Sequence, residues 1–293
     1  MQITLSKYAG FCDGVDRAYA MVKKMAADPR VKKPIFVMGS LVHNADVVRS
    51  IEKFGVQKIS VDKSLFKILD KMHGQIGTLV ITAHGMGPEI YAYAKKKGIN
   101  LADATCPRVI RAQRLAKVFH DKNYQIVIVG EKDHKEVRGI CEWADNRAVF
   151  IQKDADLKKL KLNPRKKIAV ISQTTQNQDF VKRAWEAIRN KYPRAEVVDT
   201  ICLTTQNRQD EAKLQAKKND VVIVIGSPES SNSTRLFEIT LALNPRSHFV
   251  ERAGQLKKTW FKGAQKVWVT AGASTPKWII GDVIEKLRKL QPE

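Results

Sequence analysis

The sequence lacks the features that would place a protein in a membrane or outside the cell. Among its 293 residues no apolar run approaches the roughly 18 residues of a membrane span. The first seven residues, MQITLSK, lack the long apolar core of a signal peptide, and no low-complexity segment is evident. We therefore expect a soluble, cytoplasmic protein that has no membrane partner.

Cysteine is scarce, and its placement is informative. The chain has four cysteines, widely separated, and their spacing fits neither a zinc ribbon nor a zinc finger. In a reducing compartment disulfides are not expected, so metal binding or catalysis is favoured. Three of them, Cys12, Cys106 and Cys202, follow one another at nearly equal intervals of 94 and 96 residues. This spacing suggests one structural unit used three times.

Pairs of short apolar runs behind each cysteine support the repeat. Each run is closed by a polar residue, and the matched distances agree within four residues. These residues are His43 and His84 in the first copy, His134 and Thr174 in the second, and Asn232 and Ser274 in the third. Short β-branched runs that alternate with helical patterns indicate buried parallel strands in βαβ units, whose ligands collect at the strands' carboxyl ends.

The repeat predicts an α/β protein of three lobes with small parallel sheets, related by pseudo-threefold symmetry around a shared centre. The lobes are expected at residues 14–106, at 107–199, and at 200–293 together with 1–13. Amphipathic helices are predicted over 16–27, 46–54, 110–121, 178–192, 207–217, 233–243 and 277–290. Each of the three cysteines lies just before a helix, where unpaired N–H groups favour thiolates and bound anions.

A series of short motifs carries a family resemblance in order and spacing. They are GFCDGV at 10–15, VHN at 42–44, AHG at 83–85, DATCP at 103–107, SQTT at 172–175, DTIC at 199–202, TQNRQ at 205–209, GS at 226–227 with SSNS at 230–233, and TAGAS at 270–274. The chain resembles the 4-hydroxy-3-methylbut-2-enyl diphosphate reductase family over nearly its whole length.

The resemblance implies a three-lobed α/β protein with an iron–sulfur cluster at its centre. Cys12, Cys106 and Cys202 would hold a [4Fe–4S] cluster whose fourth iron has no protein thiolate. A three-cysteine set suggests a Lewis-acid or organometallic role for this iron, with the substrate's hydroxyl oxygen as its ligand, because clusters that only carry electrons normally have four cysteines. Cys141 is left out of the site, since a buried cysteine is most often a small hydrophobe.

The implied reaction is a reductive dehydroxylation. The allylic hydroxyl of 4-hydroxy-3-methylbut-2-enyl diphosphate would leave with two electrons and two protons, giving isopentenyl and dimethylallyl diphosphates. A ferredoxin or flavodoxin would supply the electrons. Glu136, expected on a loop facing the cluster, would donate the proton with a pKa raised by burial, and Thr174 would relay it or orient the oxygen.

The substrate-binding residues that the resemblance implies are neutral or switchable hydrogen-bond donors rather than fixed cations. They are His43, His84, His134, Thr174, Ser230, Ser231, Asn232 and Ser274. Several such donors can anchor a diphosphate in a dry pocket, and histidines can charge when the anion arrives. The segment from Ser230 to Ser233 has a second interpretation as a helix cap.

Two positions depart from the family pattern. Lys135 stands where the family commonly has proline, between His134 and Glu136, and Arg138 follows. Lys135 either lowers the pKa of Glu136 by attraction or helps to gather the diphosphate. Asp13, beside Cys12, is expected to lower the potential of the cluster.

Acidic residues are in short supply, 30 against 52 basic ones, which gives a net charge of +22. Lysines scattered over all lobes are typical of a solvated surface, and they would steer an anionic substrate and an acidic electron donor. Nucleic acid is not an expected partner, because neither clustered arginines with exposed aromatics nor a binding motif is evident. Two alternatives stay open: an iron–sulfur sensor or nucleic-acid-binding regulator, and a structural Cys₃ zinc site.

Overall fold

All six strands predicted by the repeat are present in the computed structural model, which describes residues 1–290. In chain order the strands are β1 (Gln2–Leu5), β2 (Ile35–Met38), β3 (Val56–Ile59), β4 (Thr78–Ile81), β5 (Asn100–Asp103), β6 (Gln125–Val129), β7 (Ala148–Ile151), β8 (Ile168–Ser172), β9 (Glu196–Val197), β10 (Val221–Ile225), β11 (Ser247–Val250) and β12 (Lys266–Ala271). The predicted strands are β2, β4, β6, β8, β10 and β12, while the other six, all of them edge strands, were not foreseen.

The seven predicted helices are also present, with ends shifted by a few residues. The described chain has α1 (Asp13–Ala27), α2 (Ala45–Glu52), α3 (Leu65–Lys71), α4 (Pro88–Lys97), α5 (Pro107–Asp121), α6 (Lys135–Glu142), α7 (Asp154–Lys159), α8 (Gln178–Lys191), α9 (Leu203–Ala216), α10 (Ser231–Leu243) and α11 (Lys277–Lys289). The helices missed from sequence, α3, α4, α6 and α7, have ten residues or fewer, so few turns are available to show a period.

The strands of residues 1–290 form three four-stranded parallel sheets that share one topology. Their orders are β3-β2-β4-β5, β7-β6-β8-β9 and β11-β10-β12-β1. In the third sheet β1 takes the outer place, and it pairs with β12 from Gln2 against Lys266 to Leu5 against Val269. The mixed α/β fold with small parallel sheets is therefore confirmed, and the same order in all three sheets agrees with a repeated unit.

The described chain forms two compact units. The terminal unit contains Met1–Val15, His43–Ala45 and residues 202–290, and the central unit contains Asp16–Val42 and Asp46–Ile201. The third sheet lies in the terminal unit, and the other two lie in the central unit. The three-lobe division and its pseudo-threefold symmetry stay predictions, and residues 291–293 of the predicted third lobe lie outside the described residues.

The inner strands of each sheet supply the core. Every residue of β8 and β10 is buried, and so are the four residues of β6 that follow Gln125. This explains their continuous apolar runs, since a parallel strand covered on both faces has no solvent side. Helix α11 shows the complementary pattern, with Ile279, Ile280, Val283 and Leu287 buried on one face. No helix within residues 1–290 has the length and apolarity needed to cross a membrane.

Candidate functional site

The three spaced cysteines each lie at the start of a helix, as predicted. Cys106 and Cys202 are the N-cap residues of α5 and α9, and Cys12 directly precedes α1. None of the four cysteines is in a disulfide, and these three are partly exposed. Cys141 is buried instead in an apolar cluster of the central unit, which agrees with a packing role.

The central unit brings Glu136 and Thr174 into direct contact. Glu136 is only 2% exposed. The backbone N–H of Thr174 donates to Glu136 Oε1 at 2.6 Å, and its hydroxyl donates to Oε2 at 2.8 Å. Burial raises the pKa of Glu136 to about 7, although both bonds from Thr174 act in the opposite direction. A carboxyl with this pKa can hold and release a proton near neutral pH, which suits a general acid.

Glu136 does not lie on a loop, and that expectation was wrong. It occupies the first turn of α6, and His134 is the N-cap of this helix. The Nδ1 atom of His134 accepts a hydrogen bond from the Glu136 backbone N–H at 3.2 Å. This cap starts the helix immediately after the histidine, because it satisfies an N–H group that has no partner within the helix.

His134 and His84 stand near each other in the central unit, with ring centroids 5.8 Å apart in an edge-to-face arrangement. Burial, reinforced by the charges of Lys135 and Arg138, lowers the pKa of His134 to about 4. The ring is therefore neutral at pH 7. Because Nδ1 accepts a bond from the backbone, the proton of the neutral ring is assigned to Nε2, which makes this atom a donor.

Lys135 acts on the pKa of His134. Its charge is among the causes that lower the pKa of His134, whereas the pKa of Glu136 is set by burial and by Thr174. The Lys135 side chain lines a cavity of about 260 Å³, whose wall also includes Glu89 and Glu142. The pKa of Glu136 is nevertheless raised above its usual value, because burial has the largest effect on it.

Gly85, the third residue of the AHG motif, holds its turn in a conformation that favours glycine. Its φ is +74°, and a Cβ atom there would collide with the side chains of Gln113 and Thr105. The next motif is tied to this turn, because the N–H of Cys106 donates to the carbonyl of Ala83 at 3.0 Å. Gly85 therefore lets the His84 turn and the Cys106 turn approach closely.

We expect Gly85→Ala to destabilise the protein more than Gly74→Ala. Gly74 also has a positive φ, of +85°, but a Cβ there would have open space. The control should therefore cost about 1 kcal/mol for backbone strain alone. Overpacking against Gln113 should add about 1–3 kcal/mol in Gly85→Ala. Urea unfolding measures both, and equal losses would contradict the close approach.

In the terminal unit, Ser230, Ser274 and His43 lie together. Ser230 caps α10, and its hydroxyl accepts from the N–H of Ser233 at 3.4 Å. The hydroxyl of Ser274 reaches Ser230 Oγ and the backbone oxygen of His43, each at 3.3 Å. Ser231 lies in the first turn of α10. The capping interpretation of Ser230 is thus confirmed, and a helix N-terminus with such hydroxyls is also suited to an anion.

Among these polar residues, Asn232 gives the strongest indication of a ligand-binding site. It is 4% exposed, and within the described chain neither its amide oxygen nor its amide nitrogen has a hydrogen-bond partner. A buried amide left unsatisfied costs about 1–3 kcal/mol. Such a cost is expected where a side chain is kept for a ligand.

Arg208, in the TQNRQ motif, is a further buried residue to which the sequence pattern assigns no role. The structure buries it at 3% exposure, in a helix that starts at one of the spaced cysteines. The sequence distinguishes Arg208 only as a single cation among uncharged polar residues of this motif.

Among residues 1–290, no group of three or more histidine, cysteine, aspartate or glutamate side chains is arranged to hold a metal ion.

Comparisons with known proteins agree on one family. The LytB protein family model matches residues 3–288. The 4-hydroxy-3-methylbut-2-enyl diphosphate reductase of Symbiobacterium thermophilum is 37% identical over 285 residues, which are 97% of this chain and 96% of the relative. The structure of the E-1-hydroxy-2-methyl-but-2-enyl-4-diphosphate reductase from Plasmodium falciparum aligns with a TM-score of 0.88 and 30% identity, over 97% of this chain and 86% of that one.

A second solved structure gives the same result. It is (E)-4-hydroxy-3-methyl-but-2-enyl diphosphate reductase, described as the terminal enzyme of the non-mevalonate pathway. It aligns with a TM-score of 0.68 and 31% identity, covering 99% of this chain and 100% of that structure. The similarity thus extends over nearly the whole chain in both sequence and fold.

Proposed function

The chain belongs to the LytB protein family, and from this membership we propose that it reduces 4-hydroxy-3-methylbut-2-enyl diphosphate to isopentenyl and dimethylallyl diphosphates. The named relatives support this oxidoreductase activity and give no support to a sensor or regulator. The structural observation that carries the proposal is the buried Glu136–Thr174 pair, whose carboxyl can hold a proton at neutral pH.

Cys12, Cys106 and Cys202 are proposed to hold a [4Fe–4S] cluster. The donor set fits this group, because iron–sulfur clusters are bound by thiolates and these are three cysteines outside disulfides at helix starts. When bound, the cluster would deliver electrons and act as a Lewis acid toward the substrate's hydroxyl oxygen. Cysteines outside disulfides agree with a reducing compartment, and we propose a cytoplasmic location.

The diphosphate is proposed to bind to neutral donors. Ser230, Ser231, Asn232 and Ser274 would contribute hydroxyl and amide groups near the start of α10. Binding would satisfy the buried amide of Asn232, which lacks a partner among residues 1–290. The helix N-terminus adds its dipole to the attraction for an anion.

The histidines are proposed to complete the binding set. His134 would donate from Nε2 as a neutral ring, since its pKa of about 4 keeps it uncharged at pH 7. His84 lies beside it, and His43 lies near the serines of the terminal unit. For His134, this replaces the expectation that the ring becomes charged when the anion arrives.

Proton donation is proposed to start at Glu136. Departure of hydroxide requires a proton on the oxygen, and Glu136 is the buried acid that can supply it. The hydroxyl of Thr174 lies 2.8 Å from Glu136 Oε2, so it can accept that proton and pass on its own. An external ferredoxin or flavodoxin is proposed as the electron source, since acidic carriers suit a protein of net charge +22.

The reaction is tested by anaerobic reconstitution followed by a reductant-driven assay. The reconstituted protein is mixed with the hydroxymethylbutenyl diphosphate and a reduced viologen, and both products are quantified. We expect turnover that stops without reductant. An intact cluster with no product would reject the proposed reaction.

We expect Asn232→Leu to weaken substrate binding without destabilising the fold. Leucine removes the unpartnered amide, so the free energy of unfolding should stay unchanged or rise. The substrate KM should rise about tenfold or more, since a lost hydrogen bond to a charged group costs about 1.5–3 kcal/mol. Steady-state kinetics and urea unfolding measure the two effects.

Asn244→Leu is the matched control. Asn244 is a buried asparagine of the same unit, but its amide donates to the carbonyls of Ala216 and Asn219, at 3.0 and 2.7 Å. Its replacement should destabilise the protein by about 1–3 kcal/mol and leave KM unchanged. The reverse pattern in the two variants would remove Asn232 from the substrate site.

The pKa of Glu136 also predicts a pH-dependent stability. The folded carboxyl keeps its proton up to about pH 7, whereas the unfolded one loses it near 4.5. Between these values the unfolded chain binds fewer protons, so the contribution of this group to stability decreases as pH rises. Relative to Glu136→Gln, the wild-type free energy of unfolding should fall across this range. Parallel curves in urea titrations at several pH values would contradict the assigned pKa.

A further inference from the structure

Arg208 is a buried cation that the proposed reaction leaves without a role. It is 3% exposed, and lies on the covered side of α9. A guanidinium keeps its proton in proteins, so this position carries a fixed positive charge. Arginine is almost never fully buried unless it is paired, so its burial calls for a specific reason.

The guanidinium is bound to backbone close to two of the spaced cysteines. Its Nη2 donates to the carbonyl of Gly10 at 2.7 Å, and its Nη1 donates to the carbonyl of Thr204 at 3.2 Å. Gly10 lies two residues before Cys12, and Thr204 lies two residues after Cys202. One side chain therefore joins the two segments that carry these thiols.

Its electrostatic surroundings are negative. Burial lowers the pKa of Arg208, while the charges of Cys12, Cys202, Asp13 and Glu211 oppose that shift, in this order of size. Cys12 and Cys202 therefore act on the pKa of Arg208 more strongly than the two carboxyl groups do. Its buried Nε atom has no partner in the part of the chain that the structure describes. The backbone bonds thus fix the cation without neutralising it.

We propose that Arg208 raises the reduction potential of the cluster held by Cys12 and Cys202, an inference that rests on the proposed function. Reduction transfers one electron from the donor to the cluster, which becomes more negative by one charge, while Arg208 keeps its own charge. A fixed positive charge at a poorly solvated position stabilises the more negative state. It thereby opposes Asp13, whose negative charge acts in the other direction. Arg208 is a positioning and tuning residue, not a catalytic one.

The test measures the midpoint potential of the reconstituted protein without substrate, by a potentiometric titration followed by absorbance and electron paramagnetic resonance. In Arg208→Gln the reduced-to-oxidised ratio at a fixed potential should fall at least tenfold, a shift of about 59 mV for one electron. Arg208→Lys retains the charge and should stay close to wild type. Asp13→Asn combined with Arg208→Gln restores the local charge balance and should recover most of the shift.

Arg246→Gln is the matched control. Arg246 also lies in the terminal unit and donates from Nη2 to two backbone carbonyls, those of Trp260 and Lys262, each at 2.9 Å. Its loss removes the same kind of backbone bond, and the potential should not move. An equal shift in this variant would mean that the potential reports general loosening of the fold.

Three outcomes overturn the inference. The first is a loaded Arg208→Gln protein with a wild-type potential. The second is an Arg208→Lys shift as large as that of Arg208→Gln, and the third is failure of every Arg208 variant, the lysine one included, to take up the cluster. If only Arg208→Gln fails to take up the cluster, the midpoint potentials of Asp13→Asn and of the double variant are compared instead. The inference then requires the lower potential in the double variant. A wild-type protein that binds no iron would instead refute the proposed function.

Discussion

Replacing Glu136 with glutamine will lower kcat by about 10²–10⁴-fold, the usual contribution of a positioned general acid. Glutamine keeps the size of the side chain and an acceptor oxygen for Thr174, but it has no proton of suitable acidity. The rate of the wild type should fall as pH rises through about 7, because Glu136 then loses its proton. Single-turnover kinetics on the reconstituted protein over pH 6–9 will measure both effects.

Two further variants make this test specific. Thr174→Val removes the side-chain bond that lowers the pKa of Glu136, so the alkaline fall in rate should move to higher pH. Glu142→Gln is the matched control, since Glu142 lies in the same helix α6 and burial raises its pKa as well. That variant should retain wild-type kcat. A Glu136→Gln protein with an intact cluster and a normal rate would exclude Glu136 as the proton donor.

Serine in place of Cys106 or Cys202 will abolish turnover through loss of the iron–sulfur cluster. Each cysteine is expected to supply one of three thiolate ligands, and a serine hydroxyl does not replace a thiolate, which is the form that binds metal. We expect the brown absorbance and the iron content per chain to drop sharply after anaerobic reconstitution. Metal analysis of the wild type also tests the zinc alternative, which predicts a colourless protein with one zinc ion.

Cys141→Ala provides the matched control for these variants. Cys141 is buried in the apolar cluster of the central unit, with a pKa raised by burial. Its loss should cost about 1 kcal/mol or more of stability through a small cavity, while iron content and kcat stay unchanged. Loss of iron in Cys141→Ala would mean that the ligand set has been assigned wrongly.

The net charge of +22 contributes to the encounter with anionic partners in general, and less strongly than the buried groups contribute to the reaction. Charges spread over the surface attract anionic partners. At 0.1 M salt this attraction is largely screened beyond about 10 Å. The specific steps depend instead on buried groups such as Glu136 and Asn232, where water and salt have little access. The excess of lysine over acidic residues therefore bears on encounter rates and not on the chemistry.

The sequence by itself determined the inner strands of the three sheets and the helix starts marked by the three cysteines. Strands such as β6, β8 and β10 are buried on both faces, so their β-branched runs stand out without any knowledge of contacts. The nearly equal spacing of the cysteines located three helix starts, because the same strand order recurs in each sheet. Edge strands such as β3 and β9 were not predicted, because they are short, partly exposed and lack an apolar run.

Only the tertiary structure decided the state of the polar residues. Glu136 is protonatable near pH 7, and His134 is neutral, because segments distant in sequence exclude water from both. The same exclusion leaves the Asn232 amide unsatisfied and encloses Arg208 between Gly10 and Thr204. Desolvation depends on what packs around a group and not on its neighbours in the chain. The sequence therefore indicated which residues to consider, and the fold set their charge and their hydrogen bonds.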